Sequence, residues 1–213
     1  MKPLIAIESC HRDRWCHAQI RDTWLSAPAA DTRFFLGVPK EPDAEADETF
    51  LDVPDGGGSE LRLKILGSIS WALANGYDNL FRCDTDTYVH VPRLLASGFE
   101  RHDYSGFVQG DDSVFGGTGY WLSRRAMEAL LARGEIAACS GAEDWWVRYV
   151  LRQAGILPFH DPRYRIGTDR GTMVGPQPDN DVITCHNHER NSLTNLRDRA
   201  NLYAVHEKAK GIL

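Results

Sequence analysis

Long apolar runs are missing from this chain of 213 residues. Charges or prolines interrupt every candidate, so none approaches the roughly 20 residues of a membrane-spanning helix. The opening stretch MKPLIAIESCHRDR holds an apolar run of only about five residues, too short for the core of a secretory signal peptide. The expectation is a cytoplasmic protein with no transmembrane segment, with peripheral membrane association left open. Cysteines are few and odd in number: Cys10, Cys16, Cys83, Cys139 and Cys185. Such a scattered set suits reduced thiols better than a disulfide framework. A basic excess is absent too. The net charge of -6 argues against a nucleic-acid partner, although a small basic pocket stays compatible with it. No G-x-x-x-x-G-K-[ST] or G-x-G-x-x-G occurs, so neither a P-loop nor a Rossmann fingerprint cradles phosphates. There is no sustained repeat and no low-complexity tail.

What the chain does have is an apolar fraction of 42%, enough for the core of one domain or one large α/β unit. LIAI reads as a first strand, and CHRDRWCHAQIRDTWLSA as a helix with Trp15, Ile20 and Trp24 as its apolar contacts. TRFFLGV reads as a second strand, the acidic PKEPDAEADE as a surface loop, and TFLDV as a short strand. SELRLKILGSISWALANG has apolar residues near helical spacing and stops at Asn75-Gly76, and YDNLFRCD is the next strand. Near the C-terminus, DVITC reads as a strand and NSLTNLRDRANLYAVHEKAKG as a charged amphipathic helix. Strands alternating with helices predict an α/β fold, a mainly parallel central sheet flanked by helices on both faces. In such sheets ligands bind outside the carboxyl ends of the strands.

Asp84 and Asp86 fall at such an end, in NLFRCDTDTYVHV. Two carboxylates two residues apart share a face of an extended segment, repel each other and resist desolvation. A hard divalent cation removes that cost, whereas a solvated turn would leave the pair idle. A calcium EF-hand loop fails because its fifth and sixth positions would be Tyr88 and Val89. A phosphatase of the haloacid-dehalogenase type is weakened by Tyr88, where a threonine or valine belongs. Further along, VFGGTGYWLS sets glycines beside aromatics. Either Tyr120 and Trp121 stack on a sugar face, or the stretch is a tight turn feeding an apolar strand. SGAEDWWVRYVL opens a helix with Glu143 and Asp144, acids that the helix dipole favours. Zinc is disfavoured: neither Cys185, His186 and His188 nor Cys10, His11, Cys16 and His17 has the C-x₂-C spacing of structural sites.

The ordered set IRDTWLS, TRFFLGV, LRLKILGSISWALANGYDNLFRCDTDTYVHVPRLL, FGGTGYWLS and EDWWVRYVL resembles the β-1,3-glycosyltransferase family. That family includes Fringe, core 1 galactosyltransferase and the β-1,3-galactosyl- and N-acetylglucosaminyltransferases. The chain departs from it at Thr85, the middle of the family's aspartate triplet, at Arg82, usually lysine, and at Thr118, usually alanine. The membrane anchor and stem of the animal Golgi members have no counterpart here, which fits a soluble bacterial or viral relative.

The resemblance implies a single GT-A domain over 1–213, with a nucleotide-binding part at 1–90 and an acceptor-binding and catalytic part at 91–213. It implies a UDP-sugar donor, a glycan or glycoconjugate acceptor, Mn²⁺ (or Mg²⁺) and inversion at the anomeric carbon. Asp144 then takes the acceptor proton, with Glu143 as reserve. Asp86 and His186 hold the metal, with Asp84 on the ribose or a metal-bound water and His188 as a substitute ligand. Ser9, Arg21 and Lys64 match nucleotide-facing segments, and Thr85, Gly116 and Gly117 complete the donor-facing set. The alternative is a non-catalytic nucleotide-sugar or glycan-binding module with the same fold.

Overall fold

A computed structural model describes residues 1–26, 29–40, 42–57, 59–110, 112–133, 142–166, 182–186, 202–203 and 206. The first strand, β1 (Pro3–Glu8), is apolar at every position from Leu4 to Ile7 because both of its faces are covered. Leu4 and Ala6 join one core, with Ile65, Ile69, Leu122 and Trp146. Ile5 and Ile7 join a second, with Ile20, Phe34, Phe81 and Trp121. The sheet thus lies between two apolar layers.

After β1 the expected helix from Cys10 is interrupted. A 3₁₀ turn (His11–Asp13) comes first, and α1 spans only Trp15–Asp22. The loop has other uses for its polar groups: Asp13 accepts from Cys10 Sγ at 3.1 Å, and the His11 amide donates to Asp55 Oδ2 at 2.5 Å. Strands β2 (Asp31–Val38) and β3 (Glu48–Pro54) follow, then α2 (Ser59–Ala74), which ends before Gly76 at φ 78°. β4 (Asn79–Asp84) ends on Asp84, Asp86 lies in the turn after it, and β5 (Thr87–Val89) and α3 (Val91–Leu95) come next.

The later half adds β6 (Tyr104–Gly106), the short pair β7 (Val108–Gln109) and β8 (Ser113–Val114), and β9 (Tyr120–Ser123). Helices α4 (Arg124–Ala132) and α5 (Glu143–Gln153) are followed by β10 (Phe159–His160), β11 (Tyr164–Ile166) and β12 (Thr184–His186). The central sheet has seven strands in the order β10-β6-β9-β4-β1-β2-β3. It is mostly parallel; β9 runs antiparallel to both neighbours, with Arg82 opposite Tyr120. Gly119, at φ 79°, makes that docking feasible, since a Cβ there would lie 2.9 Å from the Arg82 carbonyl.

A smaller sheet, β11-β12-β5, brings His186 opposite Thr87. The strand at DVITC therefore takes in His186 as its last residue rather than stopping at Cys185. Among the described residues Cys10, Cys16, Cys83 and Cys185 are free thiols, and no helix is long and apolar enough to cross a membrane. Cys139 lies outside the described residues, as does most of the expected C-terminal helix; of that segment Leu202 packs into the second core.

Candidate functional site

The ends of β1 and β4 lie side by side, with Glu8 in register with Asp84. Outside them opens a cavity of about 500 Å³ whose lining includes Glu8, Ser9, Lys64, Asp84, Thr85 and Asp86. Four of the sequence-predicted donor-facing positions besides Asp84 and Asp86 can be placed at once. Ser9, Lys64 and Thr85 are in this wall, and Arg21 is not. The Arg21 guanidinium is taken by the loop before β3, donating to Asp47 at 2.7 and 2.9 Å and to Glu45 at 2.8 Å. Lys64 is buried; its ammonium donates to the Ser9 carbonyl at 2.5 Å and to Asp55 at 3.2 Å.

Arg82 ties the site together from below. It is fully buried, and its Nη2 donates to Asp84 Oδ1 at 2.6 Å. Its Nη1 donates to the Gly116 carbonyl at 2.9 Å and lies 3.0 Å from Glu143 Oε1. One guanidinium thus joins the end of β4, the glycine turn and the first residue of α5. Burial pushes the Glu143 carboxyl up to about 7, against the pull of Arg82. Burial likewise raises Asp84, opposed by Arg82 and reinforced by the charge of Asp86. Glu8, buried with Ser68 Oγ donating to it at 2.7 Å, is raised to about 7 by the same loss of water. Asp144, the neighbouring residue of α5, is half-buried and accepts from the Trp145 amide at 2.8 Å.

The candidate metal ligands are partly assembled. His186 Nδ1 lies 3.2 Å from Asp86 Oδ1, and that oxygen is buried. Burial alone would lower the imidazole, and the Asp86 carboxylate outweighs it, holding His186 above its ordinary value. A Cβ on Gly117 would come within 2.8 Å of the His186 ring, so glycine is what lets the turn pass it. The Gly117 carbonyl also accepts from Thr87 Oγ1 at 2.6 Å, which pins the turn beside β5. Among the described residues no three His, Cys, Asp or Glu side chains converge as a closed metal cage. An oxygen and an imidazole nitrogen with Asp84 alongside fit a Mn²⁺ or Mg²⁺ site that leaves most of its positions to a ligand's oxygens. His188 lies outside the described residues.

One expectation is overturned. Tyr120 and Trp121 cannot stack on a sugar, because both are fully buried. Tyr120 belongs to the first core and Trp121 to the second, so both faces of β9 are covered, and Trp121 stacks instead on Phe99 with centroids 3.8 Å apart.

Sequence reasoning also missed a chain of polar contacts behind the cavity wall. Ser9 Oγ lies 2.7 Å from His17 Nε2, and His17 Nδ1 lies 2.7 Å from Glu48 Oε1. Arg14 donates to both Glu48 oxygens, at 3.2 and 2.8 Å, and the His17 ring stacks on Phe34 at 3.9 Å. Burial lowers His17 to about 4, with Arg21 adding to the effect and Glu48 and Asp47 opposing it. The ordinary value is 6.5. Between those values the unfolded chain binds a proton that the folded chain refuses. The contribution to stability is full above the upper value and is lost as pH falls towards the lower one. His17→Phe is therefore expected to flatten the acid limb of stability against pH, by on the order of 3 kcal/mol across the window. Denaturant titrations of both proteins at several pH values check this, and parallel curves would contradict it.

No family model matches the chain, and no curated protein matches it. Solved structures do. One is a glycosyltransferase involved in the glycosylation of the major capsid of PBCV-1. It is 13% identical, with a TM-score of 0.60, over 95% of this chain and 100% of that one. Another is the apo-form glycosyltransferase GlyE of Streptococcus pneumoniae TIGR4, 11% identical with a TM-score of 0.60. It is matched over 96% of this chain and 60% of its own length. The α/β fold of this chain is thus one found in glycosyltransferases.

Proposed function

We propose that this chain is an inverting, metal-dependent glycosyltransferase. It moves a hexose or N-acetylhexosamine from a UDP-sugar to a hydroxyl of a glycan or glycoconjugate, forming a β-1,3 linkage. The observation that carries the reading is the pairing of Asp86 with His186 beside Asp84, at the strand ends of a cavity on a fold shared with glycosyltransferases. Asp86 and His186 would hold a Mn²⁺ ion, which supplies charge to stabilise the departing diphosphate. Lys64, buried at the cavity wall, adds positive charge on the same side. Asp144 removes the proton from the attacking hydroxyl. Its half-exposed carboxylate suits that task better than Glu143, which is buried against Arg82.

Calorimetric titration of UDP with and without Mn²⁺ tests the reading. Wild type is expected to bind UDP more tightly with the metal, and Asp86→Ala to lose that gain while staying folded, since Asp86 lies in the turn between β4 and β5 rather than in the core. A screen of UDP-sugars for slow donor hydrolysis then names the donor. Binding of UDP with no turnover of any donor would leave a binding module instead. Unchanged Mn²⁺-dependent affinity in Asp86→Ala would remove the metal assignment.

The two histidines separate in the same assay. His186→Ala is expected to lose more Mn²⁺ affinity than His188→Ala, because β12 pairs His186 with Thr87 and its imidazole lies 3.2 Å from the neighbouring Asp86. The reverse order would mean that His188 is the ligand.

A further inference from the structure

The Ser9, His17 and Glu48 contacts have a direction, and the surrounding charges fix it. Burial would raise the Glu48 carboxyl, but Arg14 and the Glu45 amide donate to it and hold it below its ordinary value. Glu48 is therefore a carboxylate, able only to accept. The proton shared with His17 must then sit on Nδ1. With the imidazole kept neutral by burial, Nε2 carries a lone pair. Ser9 Oγ, 2.7 Å away, spends its only proton on that lone pair in preference to the Cys10 carbonyl at 3.5 Å. What the hydroxyl can still offer is its lone pairs.

We propose that Glu48 and His17 are positioning residues that make Ser9 a fixed hydrogen-bond acceptor in the cavity wall, selecting a nucleotide edge that donates. That edge is an imide N–H or a ribose hydroxyl. Ser9 lines the cavity together with Asp84 and Asp86, one residue after Glu8, which is in register with Asp84, and its own carbonyl is held by Lys64. A hydroxyl free to rotate would serve donors and acceptors alike. The relay removes that freedom, so an edge that only accepts meets lone pairs and is rejected. This rests on the reading of the cavity as a uridine-nucleotide site.

Titrations of wild type, Ser9→Ala and Glu48→Gln against UDP and its N3-methyl, 2′-deoxy and 3′-deoxy analogues test it. Wild type is expected to bind one of these analogues about three- to tenfold more weakly than UDP, the worth of one neutral hydrogen bond. Ser9→Ala is expected to bind UDP itself weaker by a similar factor and to lose discrimination against that same analogue. In Glu48→Gln, the amide oxygen is favoured at the Oε2 position, where Arg14 Nη2 and the Glu45 amide both donate, which turns the amide N–H towards His17 Nδ1. The imidazole proton then moves to Nε2, and Ser9 gains a free proton that faces the ligand's donor. Discrimination is lost by reversal of the relay rather than by loss of the hydroxyl.

Imidazole ¹⁵N shifts of the ligand-free protein read the tautomer directly. His17 protonated at Nδ1 in wild type and at Nε2 in Glu48→Gln supports the relay. Wild type protonated at Nε2, or Ser9→Ala discriminating as wild type does, overturns it. If UDP fails to bind wild type with Mn²⁺ present, the proposed function falls and the ligand selection falls with it. The tautomer measurement then still decides whether the relay exists.

Discussion

Asp144→Asn is expected to slow transfer at least about a hundredfold, the low end for loss of a general base, while UDP and Mn²⁺ bind close to wild type. The substitution keeps the shape of the side chain and removes its basicity. Asp144 sits in the first turn of α5, where the unpaired amides of the helix favour a negative charge, and an ionised carboxylate is what a base must be. Its partner in sequence cannot take over, because adjacent helical residues point different ways and Glu143 is committed to Arg82. Glu143→Gln should therefore show itself in stability and donor affinity more than in the chemical step. The assay is transfer at saturating donor, with UDP affinity measured on each variant. Wild-type activity in Asp144→Asn would sink the assignment. A large rate loss confined to Glu143→Gln would move the base by one residue, and loss of UDP affinity in Asp144→Asn would make it part of the donor site.

The largest effect on stability is expected at Arg82. Removing one member of a buried charged group costs about 3–5 kcal/mol, because the partners are left in a medium that does not solvate them. Arg82→Met leaves Glu143 in that state, removes a partner from the half-buried Asp84 and frees the Gly116 carbonyl. The loss should deepen as pH rises. Glu143 stands at about 7 even with Arg82 beside it, above its ordinary 4.5. Without the guanidinium it moves further up. A raised carboxyl favours the fold below its unfolded value and loses that advantage as pH climbs through the folded one. Denaturation of Arg82→Met and of the double variant Arg82→Met/Glu143→Gln at about pH 6 and about pH 8 measures this. The double variant should recover part of the loss, chiefly at the higher pH. Equal losses at both values, with no recovery, would show that Glu143 does not sense Arg82.

How much of this was legible in the letters differs from element to element. β1, β2, β4 and α2 were readable because apolar period and Gly or Pro punctuation agree there. The break of the first helix was not, because it depends on Asp55, 44 positions after His11, capturing an amide. Arg21 looked donor-facing by resemblance, and its acidic partners looked like an idle surface loop; only the fold brings Glu45 and Asp47 to it. Tyr120 and Trp121 were ambiguous for a plainer reason. Aromatics after glycines suit a sugar platform and an interior strand equally, and the neighbours of β9 in the sheet decide between them. Asp84 and Asp86 were readable as a candidate site because two charges at the end of an apolar strand are costly without a purpose. Glu8 ends β1 in the same fashion and could have been found by the same rule. The Glu48 to His17 contact spans 31 positions with no motif to announce it.

The buried guanidinium of Arg82 also limits how this chain can be recombined. The stretch up to residue 90 supplies Arg82, Asp84 and Asp86, and the later stretch supplies Gly116, Glu143 and His186. Strand β9 from the second stretch is zipped directly to β4 from the first. A graft of the later stretch from a relative would arrive with its own carboxylate, turn and imidazole facing a foreign cation. Segment exchange at that junction should yield folded hybrids only when the cation and its α5 carboxylate travel as a matched pair.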